Sequence, residues 1–296
     1  MSSFTVTLMM VLCILFFTFQ GFFGKMYAIS YRGKEQNATP VFSSLYGLLV
    51  GFVTLAVGSR FAFSASTATW LLGLLNGFIL FLFNLSTVNA SRTGPYTLQS
   101  MLTYSGNVVI VLLVSTLFWR DTLYCYQFVG IAVMILSFIV INWQNTTFVI
   151  KKKSYFVWVS MLFLSNGFYG VIMDAQQRIM QQAESNEMII ITFFASAVIS
   201  LAYLLLTQKK ECLRAFSMEK KVWLYIALAS ASAAAGVNSM MMMLSKINSS
   251  IYFTIENGAV LALTILLGHF VLKEKITRRM VVGILLCIVS LTLLAL

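Results

Sequence analysis

From Ser249 to Leu296 the chain reads SSIYFTIENGAVLALTILLGHFVL, then KEKITRR, then MVVGILLCIVSLTLLAL: two long apolar runs on either side of a short basic turn. A bilayer core about 30 Å thick accepts roughly 20 apolar residues in a helix, so each run is of the order needed to cross it. A single carboxylate, Glu256, interrupts the first run.

Working outward, the same alternation fills the chain. Apolar runs lie near 4–25, 40–58, 67–89, 95–118, 122–142, 155–175, 187–207, 221–244, 249–272 and 276–296. Hydrophobic residues make up 59% and charged residues 10%, against about 45–50% and 25% in soluble domains. A soluble fold could not hide that much apolar surface, so the expectation is an all-α integral membrane protein with ten transmembrane helices and the lipid bilayer as partner. The net charge of +11 lies in short clusters such as Lys151-Lys152-Lys153 and Lys209-Lys210, between the runs. That pattern is one of membrane topology, not of nucleic-acid binding. Cys13, Cys125, Cys212 and Cys287 are single and widely spaced, so neither a disulfide framework nor a metal cluster is indicated. No cofactor is expected. The first run lacks a basic leader and a small-residue cleavage site and is read as retained. The two prolines, Pro40 and Pro95, are read as helix starts.

The chain also resembles itself. From the third run onward an offset of 153 residues pairs Trp70 with Trp223, Ser86 with Ser239, Gly130 with Gly283 and Ser137 with Ser290. Earlier, Gln20-Gly21-Phe22-Phe23-Gly24 matches Asn166-Gly167-Phe168-Tyr169-Gly170 in a frame about seven residues shorter. Five is odd, so a second five-helix copy enters the membrane from the opposite side and the repeats are inverted. The expected organisation is a first repeat at 1–143, a basic linker at 144–154 and a second repeat at 155–296, a fused pair that would serve as a monomer. Sixteen of the 20 lysines and arginines fall in loops on one side, while Arg60, Arg120, Arg178 and Lys246 stand one to a loop on the other. By the positive-inside rule the richer side is cytoplasmic and both termini lie outside, in a multi-pass protein of the plasma membrane.

The junctions between the fourth and fifth and between the ninth and tenth runs carry a family likeness. Arg120-Asp121-Thr122-Leu123 followed by Gln127 and Gly130, and Lys273-Glu274-Lys275-Ile276-Thr277 followed by Gly283, resemble the acidic turn, hydrophobic residue and downstream glycine of the drug/metabolite transporter superfamily. The specific likeness is to its ten-helix members made of two EamA-type repeats. Asp121 stands where the family more often has glutamate, and Arg120 and Lys273 replace a small residue. Relatives are commonly drawn with cytoplasmic termini, opposite to the charge count. The resemblance implies a central cavity walled by helices 1–4 and 6–9, with helices 5 and 10 as outer supports. It also implies a secondary-active transporter that exports or exchanges a small metabolite or drug by alternating access.

Polar residues at membrane depth are the candidates for binding substrate. A carboxylate near the bilayer centre costs roughly 2.5–3.5 kcal/mol on insertion scales, so Glu256 should face a cavity or a partner and bind a cationic or amine substrate, or a proton. Tyr96, Gln99, Ser100, Thr103 and Asn107 recur at helical spacing as one polar face of the fourth run. Under the repeat, Thr103 matches Glu256 and Tyr104 matches Asn257, so Gln99, Thr103, Tyr104, Asn107, Asn257 and the neighbouring Tyr252 form the candidate site with Asn84 and Gln20. Hydrogen bonding between helices is the alternative for each of these. Lys25 and Asp174 close the first and sixth runs and are read as a gate or as interfacial charges. The chain has no His-Glu-x-x-His, no Gly-x-Ser-x-Gly and no dinucleotide fingerprint, so an intramembrane enzyme is not expected. A lipid or lipid-linked flippase of the same fold is the alternative function.

Overall fold

The computed structural model describes residues 3–120, 124–142, 154–180, 183–207, 215–247, 249–274 and 277–295. Asp121 and the linker expected at 144–154, apart from Ser154, lie outside them. Within the described residues the chain is helical, with helices α1 (Ser3–Ser30), α2 (Glu35–Val53), α3 (Thr67–Thr93), α4 (Tyr96–Leu117), α5 (Cys125–Asn142), α6 (Tyr155–Ile179), α7 (Ser185–Thr207), α8 (Lys220–Leu244), α9 (Ser249–Phe270) and α10 (Arg278–Ala295). Eight of these are long and apolar enough to cross a membrane; α5 and α10 carry the shorter apolar stretches Cys125–Ser137 and Val281–Ser290.

Local chemistry sets several boundaries. Pro95 is the N-cap of α4, where its missing N–H costs nothing. Pro40, read from sequence as a helix start, instead lies inside α2, which begins five residues earlier at Glu35. There, beyond the first turn, it removes one intrahelical donor, and α2 ends in a π-helical turn, Thr54–Gly58. Ser66 caps α3 by accepting from the N–H of Thr69. α1 and α6 run on past Lys25 and Asp174, so neither charge closes its helix.

The repeat is written into the packing. The most extensive helix pairings all join the first five helices to the second five: α1 with α8, α4 with α6, α5 with α10, α2 with α7, and α3 with both α6 and α7. α5 and α10 exchange two equivalent bonds: Ser137 Oγ donates to the Gly283 carbonyl at 2.7 Å and Ser290 Oγ donates to the Gly130 carbonyl at 2.6 Å. Such a reciprocal contact is the signature of a two-fold axis. Ser43 of α2 and Ser196 of α7, also 153 residues apart, meet hydroxyl to hydroxyl at 3.2 Å. Even the turns agree, since Arg120 and Lys273 both take left-handed backbone, φ 54° and 56°. A residue without Cβ adopts that conformation freely, which is the physical reason a small residue suits the position.

Without a hydrophobic driving force between helices in lipid, close backbone approach supplies the cohesion. A Cβ added at Gly77 of α3 would stand 2.5 Å from Ala195 Cβ and 2.8 Å from the Thr192 carbonyl of α7. At Gly47 of α2 it would meet the Phe193 carbonyl at 2.5 Å.

Candidate functional site

A cavity of about 100 Å³ lies where the two sets of helices converge. By the liquid volume of water, about 30 Å³ per molecule, it has room for roughly three waters or one small polar head group. Its walls come from α1 to α4 and from α6 to α9; α5 and α10 contribute none of the lining residues. Phe17, Phe42, Phe83, Tyr104 and Phe193 make much of the wall aromatic.

Glu256 of α9 lines this cavity and is 4% exposed. Among the described residues its carboxylate has neither a hydrogen-bond nor an ion-pair partner, and the lining includes no lysine, arginine or histidine. A carboxylate in such a place is uncompensated unless a proton or a cation joins it.

Four of the five amide side chains around it donate their NH₂ into the protein; the fifth, Asn107, has its Oδ1 buried without a partner among the described residues. Gln20 Nε2 donates to the Tyr46 hydroxyl at 2.7 Å, and Asn84 Nδ2 to Ser43 Oγ at 3.0 Å. Asn166 Nδ2 donates to the Thr103 carbonyl at 2.9 Å and Asn257 Nδ2 to the Phe253 carbonyl at 2.6 Å. Main-chain carbonyls only accept, so they fix Asn166 and Asn257 with the NH₂ into the protein. The four amide oxygens accept no hydrogen bond from any described residue. Tyr169 OH and Thr87 Oγ1, also on lining residues, are buried without a partner among the described residues.

Of the residues singled out from sequence, Glu256, Asn257, Thr103, Tyr104, Asn107, Asn84 and Gln20 come together in this lining. Gln99 does not. It faces α3, where Ser91 Oγ donates to its Oε1 at 2.8 Å. Tyr252 points to α1, its hydroxyl 3.0 Å from Cys13 Sγ. The sequence reading passed over Tyr46, Tyr169 and Phe193, because an aromatic residue in an apolar run carries no mark that separates cavity wall from packing.

Lys25 and Asp174 stand apart from the cavity lining, and both are buried in the protein. Lys25 Nζ donates to the carbonyls of Ser91 at 2.7 Å and Gly94 at 3.1 Å, tying α1 to the α3–α4 corner. Asp174 pairs with Arg178 Nε at 2.9 Å; Arg178 also reaches Ser249 Oγ at 3.3 Å and lies over the Trp119 ring. The pseudo-equivalent corner, α8–α9, thus receives an arginine paired with Asp174, where the first receives the Lys25 ammonium on two carbonyls. Glu274, the acid of the second junction motif, accepts the N–H of Tyr96 at 2.8 Å. A carboxylate there meets a first-turn donor and the positive end of the α4 dipole. His269 Nδ1 donates to the Glu274 carbonyl at 2.9 Å, outside the cavity.

A second concavity, a crevice of about 680 Å³, opens between the end of α2 and α8, beside the α6–α7 turn. Val53, Val57, Ala234 and Asn238 line it, and Asn238 Nδ2 bridges the two helices to Thr54 Oγ1 at 3.1 Å.

The EamA-like transporter family matches residues 156–296. The second half of the chain belongs to that family. This EamA-like half supplies Glu256, Asn257, Asn166 and Tyr169 to the cavity. One solved crystal structure, 13% identical, superposes over 98% of this chain and 97% of its own with a TM-score of 0.72, so the fold extends across both halves. No curated protein matches the chain. The match of the second half to a transporter family, with the long apolar helices, supports a multi-pass membrane transporter.

Proposed function

We propose that the protein is a secondary-active transporter that moves a small cationic metabolite or drug through the central cavity by alternating access, as an exporter or exchanger at the plasma membrane. The observation that carries this reading is Glu256, a buried carboxylate without a partner among the described residues, in a largely aromatic cavity between the two halves. Glu256 binds the substrate cation or a proton that exchanges with it, and the aromatic walls favour a cation by their negative faces. The two halves take turns opening. In this conformation the crevice between α2 and α8 is wide while α3 is packed along α7. With the lysine- and arginine-rich loops in the cytoplasm, that crevice faces outward and both termini lie outside. Lys25 then serves as the inner latch and the Asp174–Arg178 pair as the outer one.

Thermal unfolding of the purified protein in detergent, with panels of amino acids, nucleobases, polyamines, organic cations and nucleotide sugars, tests this. A ligand at about 100 times its Kd should stabilise the protein by roughly 2.7 kcal/mol. The expected outcome is a response confined to cations that disappears in Glu256→Gln, with cation uptake by proteoliposomes falling to background. Unaltered transport and pH dependence in Glu256→Gln would sink the reading.

A further inference from the structure

We propose that the cavity selects ammonium ions that still carry N–H donors, primary and secondary amines, over fully alkylated ammonium ions. This rests on the reading of Glu256 as the cation site and goes beyond it, because a carboxylate and aromatic walls alone would hold either kind of cation.

The discriminating element is the set of amides. Gln20, Asn84, Asn166 and Asn257 come from four helices, α1, α3, α6 and α9, and each donates its NH₂ to a protein acceptor. For Asn166 and Asn257 the acceptors are main-chain carbonyls, which cannot be matched by the amide oxygen, so the orientation is forced. What remains on the cavity side is a group of amide oxygens beside one carboxylate, joined by the hydroxyls of Tyr169 and Thr87 and the amide of Asn107, so that acceptor sites outnumber donors. Water can satisfy them while the cavity is empty. A ligand that displaces that water must bring donors of its own, or the oxygens are left buried and bare. A primary ammonium carries three N–H groups and can serve the carboxylate and two amide oxygens at once. A trimethylammonium head brings only C–H groups and fills the same 100 Å³ with methyls. Sites built to hydrogen-bond a ligand discriminate strongly against isosteres that lack the donor.

The test uses the full chain in nanodiscs and matched probes: phenethylamine, hexylamine and their N,N,N-trimethyl derivatives, measured by thermal shift and by competition. The expected result is that each amine binds at least about tenfold tighter than its trimethyl partner, a modest share of what a lost donor can cost. Asn166→Leu should narrow the ratio by weakening the amine alone, while Glu256→Gln weakens all four probes. Equal or tighter binding of the trimethyl probes, still dependent on Glu256, overturns this inference and leaves the cation site standing. Binding of all four that ignores Glu256→Gln, or no binding by any of them, overturns both. The wild-type ratio decides the matter even where Asn166→Leu fails to fold.

Discussion

Gly73 and Gly77 bring the backbone of α3 onto Ile191, Thr192 and Ala195 of α7, whereas α8 carries Ile226 and Ser230 at the same register and lies along α2 over a shorter stretch. The clamps at the head of each joint differ in kind as well. At α3 the capping Ser66 donates its N–H and its hydroxyl to Glu184 of the α6–α7 turn, at 3.0 and 2.8 Å. At α8 the corresponding Glu219 meets Arg32 of the α1–α2 turn at 3.3 Å, in an ion pair whose side chains are 85% and 57% exposed. Exposed pairs of that sort contribute about 0–1 kcal/mol. Two copies of one fold therefore pack their equivalent joints differently, α3 closely along α7 and α8 over a shorter stretch of α2.

The largest effect should come from forcing the tight joint. Gly77→Leu sets a branched side chain against backbone and a neighbouring Cβ, and overpacking of this sort costs about 1–3 kcal/mol or more. A lower thermal midpoint and loss of transport are expected; an unaltered midpoint would mean that α3 and α7 do not depend on the glycine contact. Next in size is the attempt to shut the loose joint. With Ile226→Gly and Ser230→Gly together, α8 acquires the close-packing surface that α3 has. Spin labels on Phe52 and Met242, both exposed, should move together by a few ångström, and a distance that stays put would break the comparison.

Smaller effects test the clamps and the axis. Hydrogen bonds from Thr69 and Ser66 hold the Glu184 carboxyl below the usual carboxylate range. A lowered value means the clamp is complete above that range and is lost as pH falls through the lowered value. Acid should thus soften the wild type slightly more than Glu184→Gln, as read from thermal midpoints across a pH series. Ser137→Ala and Ser290→Ala each remove one of two equivalent bonds, so each should cost about 0.5–1.5 kcal/mol and the two losses should be alike. Markedly unequal losses would show that the axis is not balanced.

The offset of 153 residues could be read from the sequence because glycines and serines that meet at an axis must recur in both copies, and Gly130, Ser137, Gly283 and Ser290 do so. Glu256 was legible for the opposite reason: one carboxylate in a long apolar run stands out by its cost. The aromatic walls were not legible, since Tyr46, Tyr169 and Phe193 look like any other membrane-helix filling. Nor was the direction of the amides, because whether an asparagine offers its NH₂ or its oxygen depends on which helix lies beside it. Gln99 shares a helical face with Thr103 but meets Ser91 instead of the cavity, as the face it lies on turns toward α3 one turn earlier. The burial of Lys25 was hidden because its acceptors are carbonyls 66 and 69 residues further along the chain.

The paired bonds between α5 and α10 ask for nothing that the peptide connecting them provides. Each serine needs a glycine carbonyl on an oppositely directed helix, and each helix offers both members of the pair. The same contact would form between two separate half-length chains inserted in opposite directions. Joined in one chain, the two halves need not be identical, and the unequal joints show that they are not.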